Sequence, residues 1–101
     1  MKVNIKATNM ELTAAIKEYS QEKLGGIDKY FDNIQQIDVE VGKTTKGQAK
    51  GDVFFAETNV SVPGTLLRYR EETDDLYKAI NQTKKGIQLE LNKYKEKLRQ
   101  K

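Results

Sequence analysis

Basic side chains are concentrated at the carboxyl-terminal end of the chain. Residues 78–101 contain eight Lys or Arg residues against two Glu, a local charge of +6. The first 77 residues contain ten basic and thirteen acidic residues, so the net charge of +3 conceals a strongly polarised molecule. Clustered cationic side chains bind polyanions, and charge alone does not distinguish RNA, DNA and anionic lipid. A basic surface that only keeps the protein in solution is the alternative.

Composition excludes several kinds of chemistry. The chain contains no cysteine and no histidine, which removes thiolate nucleophiles, disulfides, the commonest general base and the commonest metal ligand. Asp74 and Asp75 could imitate a metal site, but their position in front of a helical pattern predicts a helix cap. We therefore expect a binding protein that uses no metal, cofactor or small-molecule substrate. A small enzyme that uses Asp, Glu, Lys or Tyr is a formal alternative.

The basic residues near the carboxyl terminus belong to a predicted amphipathic helix. Its narrow apolar stripe comprises Leu76, Ile80, Thr83, Ile87, Leu91, Tyr94 and Leu98. Nearly opposite this stripe lie Lys78, Lys85 and Arg99, and its flanks carry Lys84, Lys93, Lys95 and Lys97. No aromatic residues alternate with these lysines in a stacking pattern, so contacts to backbone phosphates are favoured over base stacking.

Hydrophobic periodicity predicts the elements that position this helix. Alternating apolar and polar residues predict strands at about residues 3–7, 37–41, 52–62 and 67–69. A first helix is predicted from an N-cap at Thr13 to Asp32-Asn33, with its last turns frayed or bent at Gly25-Gly26. Residues 42–51 are polar and rich in glycine, as in a hairpin loop, and Pro63-Gly64 predicts a tight turn.

The predicted order β-α-β-β-β-α indicates an α+β fold, with a four-stranded, mostly antiparallel sheet and two helices on one face. The other sheet face is left to solvent or to a partner. Length and composition predict one domain over residues 1–101 with a single core. No apolar run approaches the roughly 20 residues that span a bilayer, and the amino terminus has the pattern of a strand and not of a signal peptide. We therefore expect a cytoplasmic protein with no membrane partner.

Four segments of the chain, in order and with these spacings, carry a family resemblance. They are Asn9-Met-Glu-Leu-Thr-Ala-Ala-Ile-Lys-Glu-Tyr, Lys29-Tyr-Phe-Asp-Asn-Ile, Ala56-Glu-Thr-Asn-Val-Ser-Val-Pro-Gly64 and Asp74-Asp-Leu-Tyr-Lys-Ala-Ile-Asn81. Together they resemble the ribosome hibernation promoting factor family, which includes ribosome-associated inhibitor A. The match spans nearly the whole chain.

The resemblance implies a fold similar to the double-stranded RNA-binding domain and a place on the small ribosomal subunit, in the channel between head and body. There the protein would overlap the tRNA and mRNA sites and block translation sterically, held by Lys and Arg contacts to rRNA phosphates. Long family members add a carboxyl-terminal domain that pairs ribosomes. We expect this chain to lack that domain and to be monomeric off the ribosome. A generic double-stranded RNA-binding module is the alternative function.

The family pattern also nominates individual contacts to rRNA. Expected contacts at positions where the family usually has Arg or Lys are Lys17, Lys23, Lys93, Lys95 and Lys97, and Lys84, Lys85 and Arg99 add charge nearby. The chain departs from the family at Gly26 and Gly86, where Lys is common, and at Leu89-Glu90, which replaces a common Arg-Gln pair. Because glycine disfavours helix, we expect Lys at either glycine to raise helix stability as well as ribosome binding.

Overall fold

The computed structural model describes residues 3–31, 33–44 and 53–99. Its elements are, in chain order, β1 (Val3–Thr8), α1 (Ala14–Leu24), a short 3₁₀ helix (Ile27–Tyr30), β2 (Gln36–Lys43), β3 (Phe54–Val62), β4 (Thr65–Thr73) and α2 (Leu76–Arg99). This order confirms the predicted β-α-β-β-β-α arrangement. Most of the predicted loop after β2, residues 45–51, and the predicted start of the third strand at Asp52 lie outside the described residues.

The four strands form one mixed sheet in the order β1-β2-β3-β4. β1 pairs with β2 in parallel, and the other two pairs are antiparallel. The parallel pair arises because α1 crosses over between β1 and β2 and returns the chain to the same end of the sheet. The two antiparallel pairs join strands that follow one another in the chain, so the prediction of a mostly antiparallel sheet is confirmed.

Both helices pack on one face of this sheet around a single core. The predicted apolar stripe of α2 is buried from Leu76 to Leu91, and Ala79 and Gly86 are buried beside it. Leu98 was expected to continue the stripe, but its side chain is 43% exposed. The physical reason is that α2 extends past the end of the sheet. The Tyr94 hydroxyl already reaches the carbonyl oxygen of Pro63 at the β3–β4 turn. Leu98 lies one helical turn beyond that end of the sheet.

Side-chain caps begin both helices as predicted. The Thr13 hydroxyl accepts a hydrogen bond from the Ile16 amide at 3.2 Å. Of the two candidate caps for α2, Asp75 is the one used, since its carboxylate accepts from the Tyr77 amide at 2.9 Å. Each cap satisfies an amide that the helix itself leaves without a partner.

The prediction of one continuous first helix was wrong. α1 ends at Leu24 with Gly25 as its C-cap, and the chain continues as the separate 3₁₀ helix (Ile27–Tyr30). Two consecutive glycines cost helical stability, and here they end the helix instead of bending it. Asp32, in the predicted last turn, lies outside the described residues. Gly64 has a φ of 86°, as expected at the Pro63-Gly64 turn.

Gly86 allows α2 to lie close to β4. It is buried, and a Cβ atom placed on it would overlap the ring carbons of Tyr69. The expectation that Lys at this position would stabilise the helix is therefore wrong, because any side chain would displace the ring. At Gly26 a Cβ atom would meet no atom within 4 Å, so the fold leaves room for a side chain there. The expectation that Lys at Gly26 raises stability stays a prediction.

We predict that Gly86→Ala destabilises the fold although alanine is the better helix former. The propensity gain is about 1 kcal/mol, and overpacking against Tyr69 costs up to about 3 kcal/mol. The expected net loss, on the order of 1–2 kcal/mol, corresponds to roughly 5–10 °C in a thermal melt. Gly26→Ala is the matched control and should be neutral or stabilising by up to about 1 kcal/mol. Equal melting temperatures for the two variants would contradict the close contact.

We also predict that Ile87→Ala costs about 2–5 kcal/mol, because it removes buried methyl groups and leaves a cavity. Ile87 is fully buried in the described structure, whereas Leu89, two residues further along α2, is 61% exposed. Leu89→Ala should change stability by less than about 0.5 kcal/mol. Urea denaturation of both variants measures the difference, and similar midpoints would show that the stripe is not the buried face of α2.

Candidate nucleic-acid interface

The rotation of α2 about its axis is set by a polar contact within the core. The Thr83 hydroxyl donates to the carbonyl oxygen of Tyr69 at 2.9 Å and lies 3.2 Å from the Thr58 hydroxyl. Along its 24 residues, about 36 Å, α2 carries seven basic residues and two acidic ones. With the Thr83 side directed to the sheet, most of these charges lie on the two flanks and the outer surface of the helix.

One flank of α2 faces α1. Tyr77 packs edge-on against Tyr19 with ring centroids 4.8 Å apart, and the Asn81 amide donates to the Tyr19 hydroxyl at 2.6 Å. The Lys23 ammonium lies 5.5 Å from the centroid of the same Tyr19 ring. A cation at this distance from a ring is attracted to its π-face. Lys23 is thereby positioned along the junction of the two helices.

Helical spacing places two more predicted residues on the flank of α2 that faces α1. Lys84 follows Tyr77 by seven residues and Lys95 follows it by eighteen, and both separations return to the same side of an α-helix. Both side chains are half-buried. The structure thus directs Lys23 and Lys84 to one shared surface, with Lys95 further along the same flank.

The opposite flank of α2 faces the β3–β4 hairpin. Lys93 and Lys97, one turn apart, line a groove against Pro63 and Gly64. The Lys93 side chain is 72% exposed and lies 3.5 Å from the Glu90 carboxylate. An exposed pair of this kind contributes little to stability, so the Lys93 ammonium is available to other anions.

The remaining predicted contacts lie elsewhere on the helical layer. Lys85 and Arg99 are exposed on α2, as is Leu89. Lys17 is exposed on α1 and precedes Gln21 by one turn, and the Gln21 side chain accepts a hydrogen bond from the Val3 amide. Lys17 therefore lies on the β1 side of α1, away from α2. The eight candidate residues form a band across the helical layer and not one compact cluster.

The uncovered face of the sheet differs in charge from the helical layer. Arg70 lies 4.0 Å from the Phe55 ring centroid and pairs with Glu72 at 3.2 Å and with Glu57 at 3.6 Å. Phe55 is buried on this face, outside the main core. Arg68 forms a further pair with Glu57 at 3.7 Å. Because these cations are matched by carboxylates of the same sheet, they offer little net attraction to a polyanion.

One group in the described structure has a clearly shifted pKa. The Tyr69 hydroxyl donates to a Glu71 carboxylate oxygen at 2.7 Å. This hydrogen bond, and then the negative charge of Glu71, raise the pKa of Tyr69 above its ordinary value of 10.0.

The described residues contain no group of three or more Asp or Glu side chains placed to hold a metal ion. Within the same residues, no helix combines the length and apolarity needed to cross a membrane.

Two features of this surface were not anticipated from the sequence. The contact of Tyr19 with Tyr77 and Asn81 depends on the relative placement of two helices, although the i, i+4 spacing of Tyr77 and Asn81 is a weak signal of a shared face. The groove beside Lys93 and Lys97 depends on where the β3–β4 turn meets α2. Neither arrangement can be derived from a local pattern alone.

Comparisons with known proteins identify a family for this chain. The family model described as "Sigma 54 modulation protein / S30EA ribosomal protein" matches residues 3–99. A "Ribosome hibernation promoting factor" of Pseudomonas putida is 32% identical over 97 residues, which cover 96% of this chain and 89% of that protein. A "Ribosome hibernation promotion factor" of Lactococcus lactis is 30% identical over 103 residues, all of this chain and 53% of that protein. The chain thus spans about half the length of the Lactococcus relative.

Solved structures give the same picture. The N-terminal domain of Thermus thermophilus Protein Y is similar with a TM-score of 0.73 and 30% identity, covering 91% of this chain and 94% of that one. A ribosomal subunit interface protein from Coxiella burnetii is similar with a TM-score of 0.78 at 24% identity, covering 94% and 98% of the two chains. The second likeness supports the fold alone.

Proposed function

Because the chain belongs to the Sigma 54 modulation protein / S30EA ribosomal protein family, we propose that it is a ribosome hibernation factor that binds the small ribosomal subunit and inhibits translation. The names of the Pseudomonas and Lactococcus relatives support a role in ribosome hibernation. The proposed site is the channel between head and body, where the protein would overlap tRNA and mRNA. Inhibition would be steric, by binding and not by covalent chemistry.

The observation that carries this proposal is the one-sided charge of the helical layer. Seven of the nine charged residues of α2 are basic, whereas two cations on the uncovered sheet face, Arg68 and Arg70, pair with neighbouring carboxylates. A surface with a net positive charge displaces counterions from RNA when it binds, and this release drives association without reading sequence. The proposed rRNA contacts are Lys17, Lys23, Lys84, Lys85, Lys93, Lys95, Lys97 and Arg99.

The first test of this function replaces three exposed or half-buried lysines of α2. The variant with Lys93→Ala, Lys95→Ala and Lys97→Ala should bind purified small subunits about ten-fold or more weakly, because phosphate contacts are lost. Its thermal stability should change little, since the core does not use these ammonium groups. Co-sedimentation measures binding, with large subunits and a 20-base-pair RNA duplex as competitors. Release by the duplex at equal concentration would favour a generic double-stranded RNA-binding module.

A matched control removes the same charge from the sheet strands. Lys6, Lys43 and Arg68 are exposed, and replacing all three with Ala lowers the net charge as much as the triple α2 variant does. We expect this control to bind small subunits nearly as well as the parent. If both variants weaken binding equally, the interaction depends on total charge and not on the helical layer.

The second test varies salt. With about six to ten phosphate contacts, affinity for small subunits should fall about 1,000-fold or more between 50 and 200 mM monovalent salt. Each lysine that contacts a phosphate contributes about one unit to the slope of log affinity against log salt. The slope of the triple α2 variant should therefore be shallower by about two to three units. An affinity for small subunits that does not change with salt would refute the proposed interface.

A further inference from the structure

A groove separates the β3–β4 turn from the last turns of α2. It encloses a volume of about 430 Å³, and its apolar surface comes from Pro63, Leu67, Tyr94 and Leu98. Leu98 is 43% exposed although the pattern of α2 would place it in the core. The groove therefore presents apolar surface to solvent on a helix that is otherwise basic in this region.

The walls of the groove are held in place by the fold. The Tyr94 hydroxyl donates to the Pro63 carbonyl oxygen at 2.6 Å, which joins α2 to the turn. On its other side the Tyr94 ring packs edge-on against Phe31, with centroids 5.4 Å apart. Pro63 restricts the turn itself, since proline has a fixed φ, and Gly64 provides the positive φ of 86° that the turn requires. A ligand would find the groove already formed, which reduces the entropy lost on binding.

Charges at the rim narrow the choice of ligand. Lys93 and Lys97 are one turn apart on the same edge, and among the described residues Lys97 has no carboxylate within 4 Å. Glu90 also lines the groove, where its carboxylate can accept hydrogen bonds. The groove thus combines an apolar floor, two cations and one hydrogen-bond acceptor.

From this combination we infer that the groove is a site for one unpaired nucleotide of RNA. The base lies on the apolar floor against Pro63 and Leu98, and the phosphate lies between Lys93 and Lys97. A base with an exocyclic amino group donates to Glu90 while its phosphate contacts the two lysines. An acidic peptide with an apolar side chain also matches the floor and the lysines, but its ionised side chains offer Glu90 no donor, and such a peptide is the competing ligand in the test. This inference rests on the proposed function and adds a base contact to its phosphate contacts.

The test titrates the full chain with single-stranded hexanucleotides at 50 mM salt and follows amide signals by NMR. Oligocytidylate and oligouridylate are compared, because they differ in the amino or carbonyl group at the 4-position. We expect shifts at Gly64, Thr65 and Leu98, and about five-fold tighter binding of oligocytidylate, the value of one hydrogen bond. Glu90→Gln should reduce this preference. Shifts confined to α1 and the outer surface of α2 would overturn the inference.

Matched variants distinguish hexanucleotide binding in the groove from non-specific attraction to the basic surface of α2. Leu98→Ala should weaken hexanucleotide binding by about five-fold, because the base then covers less apolar surface on the groove floor. Leu89→Ala removes an exposed leucine from the same helix outside the groove and should have no effect. Lys97→Ala should weaken binding more than Lys85→Ala. Equal affinities for the two leucine variants, or tighter binding of an acidic hexapeptide containing one leucine, would overturn the nucleotide site.

Ribosome binding distinguishes failure of the inference from failure of the proposed function. If the parent protein does not co-sediment with small subunits, the proposed function fails. If the parent does co-sediment, but Leu98→Ala and Leu89→Ala bind hexanucleotides equally, only the nucleotide site fails. Circular dichroism of each variant confirms that the comparison is between folded proteins.

Discussion

The close contact between α2 and β4 at Gly86 is the constraint on which the helical layer depends. Only a residue without a side chain lets the Tyr69 ring occupy this position. Beside it, the Thr83 hydroxyl donates to the Tyr69 backbone carbonyl, so distance and rotation of the helix are set at one place. Because α2 is rigid over 24 residues, this contact determines the direction of every charged side chain along it.

Charge is divided between the two sides of the molecule. On the uncovered sheet face, Arg70 and Arg68 are held by neighbouring carboxylates, and Arg70 also covers the buried Phe55 ring. On the helical layer, α2 carries seven basic and two acidic residues, whereas α1 carries two Lys and two Glu residues. A polyanion is therefore attracted more strongly to the α2 side, and this asymmetry would orient the protein on the proposed rRNA site before specific contacts form.

Much of the fold could be predicted from local patterns. The strand alternation, the Thr13 cap, the Pro63-Gly64 turn and the stripe from Leu76 to Leu91 are confirmed. The errors occur where the outcome depends on a neighbouring element. Gly25 and Gly26 end α1 although the apolar spacing continues. Leu98 keeps the helical period but lies beyond the end of the sheet, and Gly86 is required by a ring on another strand.

The sequence by itself determined the element order, the basic character of α2 and the family, because these depend on periodicity, composition and local motifs. Only the tertiary structure decided how the eight candidate residues are distributed over three sides of the helical layer. It also decided that Tyr94 joins α2 to Pro63 and leaves a groove beside Leu98. The reason is physical, since the period of a helix assigns residues to a side, but the neighbouring elements decide whether that side is buried, paired or open.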